Sequence, residues 1–250
     1  MHKKIGIIVQ ARMGSTRMPG KILQSFEGNR TILDILLTNL HKVKNAKVIV
    51  ATSTNPNDDQ LEEYLLSKGE LVFRGSEDDV LNRFIAAAEY FGVDGIVRIC
   101  SDNPFLDYHG IEDLIDRAKK TDADYVGFMI DGKPSIKTHF GFWGEFATLD
   151  ALKRAAMVED MMAHEHVTLY LYTHPEQFHC EWIDCPKFLS GRHNIRLTID
   201  TFQDFRNAQE VYEALSSQKK DFDLRDIVDY LDKHPVLTES MESVICENQK

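Results

Sequence analysis

The sequence predicts an α/β fold built on a mainly parallel, doubly wound sheet. Apolar runs rich in β-branched residues, at 5–9, 47–52 and 95–99, have the length and composition of buried strands. Segments with helical spacing of apolar residues separate them, and the connections are short. Such alternation forces parallel pairing through right-handed crossovers. Ligands of these sheets bind at the carboxyl ends of the strands.

The first half of the chain gives the clearest pattern. Thr31 and Asp34 form a capping box that predicts the start of the first helix. Helices are predicted over residues 31–43, 58–68, 77–91 and 107–120, and a short strand over 71–73. Residues 1 to about 125 therefore predict the doubly wound part of the fold.

The pattern changes after residue 125. We predict a strand at 125–130, an irregular or extended stretch at 134–142 and helices near 149–156 and 160–170. Strands at 177–183 and 195–199 and helices at 202–215 and 224–231 follow. No linker or repeat interrupts the chain, so we predict one domain over 1–250 with an excursion at about 130–190.

Composition limits the function classes. The chain has 250 residues, 29 Lys+Arg and 40 Asp+Glu, so its formal net charge is −11. This charge argues against a nonspecific nucleic-acid binder. Because no apolar run reaches the roughly 20 residues of a membrane span and the four cysteines form no CxxC pair, we expect a cytoplasmic protein that binds neither membrane nor structural zinc.

Positive charge is concentrated in the loop after the first predicted strand. Arg12, Arg17 and Lys21 stand there with Gly14, Gly20 and two hydroxyl residues. Glycines let backbone amides approach an anion, and the cations neutralise phosphate oxygens. Five residues separate the two glycines, so the loop is not a Walker A motif. The loop is a candidate phosphate cradle.

Six sequence blocks, taken together, resemble one enzyme family. They are QARMGSTRMPGK at 10–21, VATS at 50–53, FRGSEDDVL at 73–81, RICSDNP at 98–104, EHVT at 165–168 and RLTIDT at 196–201. In this order they are similar to the cytidylyltransferases that activate acidic sugars, especially the spore coat polysaccharide branch. The resemblance implies a Rossmann-like nucleotide-diphosphosugar transferase fold, in which the excursion serves as a dimerisation arm and a wall of the acceptor site.

The same resemblance implies transfer of CMP from CTP to an acidic, 2-keto-3-deoxy type sugar, with release of pyrophosphate. CTP and the sugar are the expected partners, and a homodimer is expected. We assign Arg12, Lys21 and Asp102 to catalysis. The nucleotide contacts are expected from Gln10, Ala11, Arg12, Gly14, Ser15, Arg17, Lys21, Thr52, Arg74 and Ser101. In the family the arginine equivalent to Arg74 reads O2 and N3 of cytosine.

Two aspartates are candidate ligands of Mg²⁺, the expected cofactor. Asp102 follows the predicted strand 95–99, and Pro104 discourages an immediate helix after it. Asp200 follows the predicted strand 195–199, although Asp200 and Thr201 also suit a helix start. A hard cation that bridges phosphates takes one or two carboxylates. Asp204 is expected on a helix surface.

The acceptor site is the least specified part. His139, Glu145 and His166 are candidates for contact with the sugar. Trp143 stands where many relatives have an acidic residue, so the acceptor of relatives does not transfer to this chain. Arg98 is predicted either to approach substrate or to pair with an internal carboxylate.

Other readings stay open at this point. A glycosyltransferase of the same fold would show an Asp-x-Asp motif at the end of a buried strand, but Asp122 to Asp124 precede a predicted strand and Asp221 to Asp223 open a helix. A noncatalytic nucleotide-binding protein would not need both Asp102 and Asp200. The preference for CTP over UTP and the number of metal ions are not settled by the sequence.

Overall fold

A computed structural model describes residues 3–248, in which strands and helices alternate along most of the chain. The strands are β1 (Ile5–Gln10), β2 (Ser25–Glu27), β3 (Arg30–Thr31), β4 (Lys47–Ser53), β5 (Leu71–Gly75), β6 (Gly95–Cys100), β7 (Tyr125–Ile130), β8 (Lys133–Pro134), β9 (Glu145–Thr148) and β10 (Cys180–Asp184). The α-helices are α1 (Ile32–Leu40), α2 (Asp59–Ser67), α3 (Val80–Phe91), α4 (Tyr108–Lys120), α5 (Leu149–Ala155), α6 (Met161–Glu165), α7 (Leu169–Thr173), α8 (Phe202–Gln218), α9 (Leu224–Lys233) and α10 (Pro235–Glu247).

One mixed sheet organises the fold. Its order is β10-β7-β9-β6-β1-β4-β5, β8 pairs with β7, and β2 and β3 form a separate hairpin. β1 lies in parallel register between β4 and β6, with Val9 opposite Val50 and Ile99. The predicted mixed, mainly parallel sheet flanked by helices is confirmed.

Alternate residues of the central strands face two apolar layers. Val9 and Val50 belong to the larger layer, which includes α1, α8 and α9, whereas Ile8 and Ile49 face α3 and α5. Because the strands are covered on both faces, nearly every residue of β1 is buried. None of the helices within residues 3–248 is long and apolar enough to cross a bilayer.

Local signals set the helix starts near the sheet edge. The Thr31–Asp34 capping box forms as predicted at α1. Asp79 caps α3 by accepting a hydrogen bond from the backbone N–H of Asn82. These caps satisfy amides that a helix start leaves free.

Two predicted elements are wrong. Residues 195–199 form no strand, because the amides of Leu197 and Ile199 donate to the carbonyls of His139 and Asp102 in neighbouring loops. The predicted helix 160–170 is divided into α6 and α7, and between them Thr168 Oγ1 donates to the buried Glu145 at 2.9 Å. Tertiary hydrogen bonds override local propensity at both places.

The sequence pattern predicted neither β9 nor α10, nor the short strands β2, β3 and β8. β9 inserts antiparallel between β6 and β7, with Val97 opposite Phe146, and thereby brings residues of the predicted excursion into the main sheet. α10 packs on α8 and α9 through Leu237 and Met241, among other residues.

Candidate active site

A cavity of about 310 Å³ lies where β1 and β6 end. We call it the first cavity. Its walls include nine of the predicted site residues: Gln10, Arg12, Ser15, Arg17, Lys21, Ser101, Asp102, His166 and Asp200. The topology therefore brings the loop 10–21, the end of β6 and the segment before α8 together, as parallel strands that end at one sheet edge require.

The cationic loop is held by its own backbone and by one buried carboxylate. Met13 O accepts hydrogen bonds from the amides of Ser15 (2.9 Å) and Gly20 (3.0 Å), and Gly20 has a φ of 68°, which favours glycine. The amide of Met13 donates to Asp58 Oδ1 at 2.7 Å. Asp58 is 2% exposed and also accepts from Ser53 Oγ at 2.5 Å. It thus fixes the loop to the end of β4, a role that no sequence signal indicated.

Lys21 joins the two predicted metal ligands. Its side chain lies in the turn after Gly20, and its Nζ is 2.9 Å from Asp102 Oδ2 and 3.5 Å from Asp200 Oδ1. Nζ also donates to the carbonyl of Ile199. Arg17 Nη2 is 3.5 Å from the same oxygen of Asp200. Two carboxylates and two cations therefore meet at one side of the first cavity.

The electrostatics of this cluster favour the ionised form of Asp200. Burial alone would raise the pKa of Asp200, but the positive charges of Lys21, Arg17 and Arg196 outweigh it and hold the pKa below its ordinary value of 3.8. Asp200 Oδ2 accepts from Arg196 Nη2 at 2.9 Å. An ionised carboxylate fixed in this way is suited to bind a cation.

The donor set fits a divalent metal ion that shares its ligands with phosphate. Asp102 and Asp200 converge on the same ammonium group. Among residues 3–248, no group of three or more His, Cys, Asp or Glu side chains is placed to hold a metal ion by itself. Mg²⁺ commonly takes one or two carboxylates, phosphate oxygens and water, so two aspartates are a sufficient protein share.

A second cavity, of about 380 Å³, adjoins the first. It shares Cys100, Asp102, His166 and Asp200 with the first cavity and is walled by residues 135–143. His139 and Trp143 lie in this wall. Trp143 is 7% exposed and its ring stacks on Phe128 with centroids 4.9 Å apart, so its bulk shapes the wall.

Arg196 connects this wall to Asp200 and Asp204 through hydrogen bonds. Its Nη1 lies 2.7 Å from His139 Nδ1, and its Nε donates to Asp204 Oδ1 at 2.7 Å. Because a guanidinium only donates, His139 Nδ1 accepts and the ring is neutral. Burial first, and the charge of Arg196 second, lower the pKa of His139. The expectation for Asp204 is wrong: it is 1% exposed, because it pairs with Arg196.

Glu145 lies behind the cavities. It is 2% exposed and accepts hydrogen bonds from Arg98 Nη1 (2.9 Å) and the Tyr125 hydroxyl (2.7 Å). Arg98 in turn lies 3.2 Å from Gln10 Oε1 and lines the first cavity. Of the two alternatives for Arg98, pairing with an internal carboxylate is confirmed. Glu145 orients Arg98 and Gln10, and it lines neither cavity.

Four predicted nucleotide contacts lie outside the lining of the first cavity. Ala11 and Thr52 are buried at the ends of β1 and β4, and Gly14 is on the exposed side of the loop. Arg74 donates to the carbonyls of Ser53 (2.8 Å) and Asn55 (2.9 Å) and pairs with carboxylates of α2. Their contact with nucleotide stays a prediction.

Comparison with known sequences identifies the family. The profile of the family described as Cytidylyltransferase matches residues 6–242. The chain belongs to the cytidylyltransferase family. It is therefore a nucleotidyltransferase, and the resemblance recognised in its six sequence blocks is confirmed.

Three individual proteins are similar over nearly the whole chain. The uncharacterized protein MJ1063 of Methanocaldococcus jannaschii is 39% identical, with 93% of this chain and 92% of the relative covered. The spore coat polysaccharide biosynthesis protein SpsF of Bacillus subtilis is 32% identical over 91% of this chain and 94% of the relative. The structure of a cytidylyltransferase from Leptospira borgpetersenii has a TM-score of 0.83 at 29% identity, covering 100% of this chain and 99% of that chain.

Proposed function

We propose that this chain transfers CMP from CTP to an acidic sugar of the 2-keto-3-deoxy type and releases pyrophosphate, for cell-surface polysaccharide or glycan synthesis. The observation that carries the proposal is the meeting of Arg17, Lys21, Asp102 and Asp200 at one side of the first cavity. The relationship to SpsF supports a role in polysaccharide synthesis. The expected cytoplasmic location is part of the same proposal.

The first cavity suits the triphosphate. Displacement at the α-phosphorus needs positioning and neutralisation of charge more than covalent chemistry. Arg12 and Arg17 are exposed cations of the loop, and Lys21 is a buried one whose Nζ lies 2.9 Å from Asp102 Oδ2. Ser15 and the loop amides supply neutral donors. These groups bind the triphosphate and stabilise the leaving pyrophosphate.

Asp102 and Asp200 would hold the expected Mg²⁺, which would neutralise negative charge on the phosphates. Lys21 Nζ lies between these carboxylates and would be available to a phosphate oxygen when another positive charge neutralises them.

The second cavity suits the acceptor. It shares Asp102 and Asp200 with the first, so a sugar hydroxyl there lies next to the α-phosphate position. The Nε2–H of the neutral His139 and the ammonium of Lys137 are donors in its wall. Both suit a carboxylate, which supports an acidic acceptor. His166, which lines both cavities, lies at their junction.

We also propose a homodimer formed through the excursion. Met157, in the segment that joins α5 to α6, and Met161, the first residue of α6, are 84% and 90% exposed. Large apolar side chains at such exposure are typical of surfaces that pack against a partner. Light scattering on the purified protein is expected to give twice the 28.7 kDa chain mass, and a monomer would contradict this part of the proposal.

The proposal is tested with CTP and UTP, each combined with a panel of 2-keto-3-deoxy acids and phosphosugars, with Mg²⁺ added. Pyrophosphate is measured, and the sugar product is identified by its phosphodiester signal in ³¹P NMR. The expected result is pyrophosphate release from CTP that depends on both the metal and an acidic sugar. Hydrolysis without sugar, or transfer only from a preformed sugar nucleotide, would contradict the proposal.

A further inference from the structure

Helix α10 packs against the segment that carries one of the two predicted metal ligands. Its buried residues recur at helical spacing and form one face: Leu237, Met241, Val244 and Ile245. Met241 Sδ accepts a hydrogen bond from the backbone N–H of Arg196 at 3.5 Å. Ser240 Oγ accepts one from Gln203 Nε2, on α8, at 3.2 Å. These contacts fix α10 to the stretch that contains Asp200.

The residue that follows α10 is an asparagine held in one orientation. The backbone N–H of Asn248 donates to the carbonyls of Val244 and Ile245, each at 3.2 Å, and its Nδ2 donates to Val244 O at 2.8 Å. Because a carbonyl only accepts, the amide nitrogen faces the helix and the oxygen Oδ1 is left for another donor. Asn248 lies outside residues 6–242, the stretch that the family profile matches.

Arg17 of the cationic loop supplies that donor. Its Nη1 donates to Asn248 Oδ1 at 2.9 Å, and its Nη2 lies 3.5 Å from Asp200 Oδ1. The C-terminal end of a helix carries partial negative charge, which also favours a guanidinium at this place. Since a guanidinium carries five N–H groups, these contacts leave others for phosphate oxygens.

Asn248 is the strongest of the contacts that fix the Arg17 side chain. Arg17 lines the first cavity together with Lys21 and Asp200, and its side chain is 52% exposed. Its 3.5 Å contact with Asp200 is longer than a good hydrogen bond, and no further hydrogen bond or ion pair holds its guanidinium among residues 3–248. Without Asn248, binding of a triphosphate would have to order this long side chain, at a cost in entropy.

We propose that Asn248 is a positioning residue, which holds Arg17 beside Asp200 so that the guanidinium is in place before CTP binds. The proposal rests on the proposed function and deepens it by adding α10 to the triphosphate site. Asn248 acts through Arg17 and does not itself line the first cavity. Because Arg17 is expected to contact the phosphates before and during the reaction, the benefit appears in KM and leaves kcat nearly unchanged.

Calorimetric titration with CTP and with inorganic tripolyphosphate, each with Mg²⁺ present, tests this role. The wild type is compared with Asn248→Ala and with the control Glu242→Gln, which changes an exposed residue of α10. Asn248→Ala is expected to bind both ligands roughly two- to tenfold more weakly, the value of ordering one long side chain in advance. Its KM for CTP should rise by the same factor in the pyrophosphate assay, with kcat within about twofold of the wild type. The control is expected to match the wild type.

A double-mutant cycle separates an effect through Arg17 from a change at the end of the helix. Arg17→Gln removes the guanidinium that Asn248 holds. In that background Asn248→Ala is expected to have no further effect on either affinity, because the two residues act as one unit. Additive losses would show that Asn248 acts on another part of the protein and would overturn the proposal. The melting temperature of Asn248→Ala should stay close to that of the wild type, since the residue is exposed.

Other results would also contradict the role of Asn248. Unchanged affinities of Asn248→Ala, in a protein whose wild type transfers CMP, overturn the role and leave the proposed function intact. Tighter binding by Asn248→Ala would show that the contact holds Arg17 away from phosphate, and a lower kcat with unchanged KM would show an effect on the reaction itself. Either result overturns the proposal.

The wild type distinguishes a failure of this role from a failure of the proposed function. A wild type that binds CTP and tripolyphosphate but transfers no CMP contradicts the proposed function, and the two affinities then still decide the role of Asn248. A wild type that binds neither ligand overturns both.

Discussion

Helix α3 and residues 195–204 both contribute to the wall of the first cavity, and each contains a fully buried arginine. The two arginines differ in their hydrogen-bond partners. Arg196 is 2% exposed and has acceptors on His139, Asp200 and Asp204. Arg83 is 1% exposed, and among residues 3–248 its one hydrogen-bond acceptor is Ser76 O. Arg196 positions side chains of the protein, whereas Nε and Nη2 of Arg83 have no hydrogen-bond partner among residues 3–248.

Two histidines, His139 and His164, also differ in the kind of hydrogen-bond partner they have. His139, beside Arg196, is neutral because its Nδ1 accepts from a guanidinium. His164, near the start of α3, has Nδ1 2.9 Å from Asp79 Oδ1 and Nε2 3.0 Å from Val158 O. Since neither partner of His164 can donate, both ring nitrogens carry hydrogen and the ring is charged. In both comparisons the hydrogen-bond partners of the side chain, more than its burial, distinguish the two sides of the site.

Replacement of Arg196 should produce the largest effect. Arg196→Met leaves Asp204 buried and unpaired, which costs about 3–5 kcal/mol of unfolding free energy, or a fall of roughly 10 °C in melting temperature. Arg83→Met serves as the matched variant and should show no fall. Calorimetric melting of both proteins checks the pair. Similar falls would remove the distinction between the two arginines.

Loss of Asp102 should abolish most of the activity without a comparable fall in melting temperature. Asp102→Ala removes one of the two carboxylates beside Lys21, and transfer of CMP should slow by at least about 10²-fold. Pyrophosphate release at saturating CTP gives the rate. Asp113→Ala, on the exposed face of α4, is the control. A rate within a few-fold of the wild type would exclude Asp102 from the metal site.

The anchor of the cationic loop should have an intermediate effect. Asp58→Ala leaves the Met13 amide without its acceptor and frees the loop from β4. We expect tripolyphosphate to bind about tenfold more weakly, as the loss of a buried charged hydrogen bond implies. Calorimetric titration measures the affinity, with the exposed Glu63→Gln as control. Unchanged affinity would show that the loop holds its shape without Asp58.

The pH dependence of stability should be the smallest effect, with opposite signs on the two walls. The lowered pKa of His139 means that its contribution is present above pH 6.5 and is lost as the pH falls through the folded-state value. The raised pKa of His164, caused first by its hydrogen bond to Asp79, gives a contribution present below pH 6.5 and lost as the pH rises through the folded-state value.

Melting between about pH 5 and pH 9 checks these signs. The destabilisation by His139→Gln should shrink toward low pH, and that by His164→Gln should shrink toward high pH. Parallel behaviour of the two variants would contradict the assigned charge states.

Sequence patterns predicted the part of the fold that depends on local signals. The strands of the parallel core are continuous apolar runs, and the Thr31–Asp34 box marks a helix start wherever it occurs. The loop 10–21 was recognisable because three cations and two glycines in one turn have few structural explanations. These features are encoded within a few residues.

The features of the fold and of the site that the sequence did not predict depend on partners that are distant in sequence. Residues 195–199 have the composition of a strand, but loops satisfy their amides and the sheet does not. Glu145 is an acidic residue with no local sign that Arg98 would bury it, and the unpaired edge of Arg83 shows only when every donor has been assigned a partner.

Hydrogen exchange measured by mass spectrometry, with and without CTP and Mg²⁺, tests most directly whether the nucleotide binds in the first cavity and leaves the second cavity to the acceptor. The account predicts that CTP slows exchange in residues 11–23 and 75–84 and leaves the acceptor wall at 135–143 unchanged. Slower exchange at 135–143 with no change in the loop and α3 would contradict it.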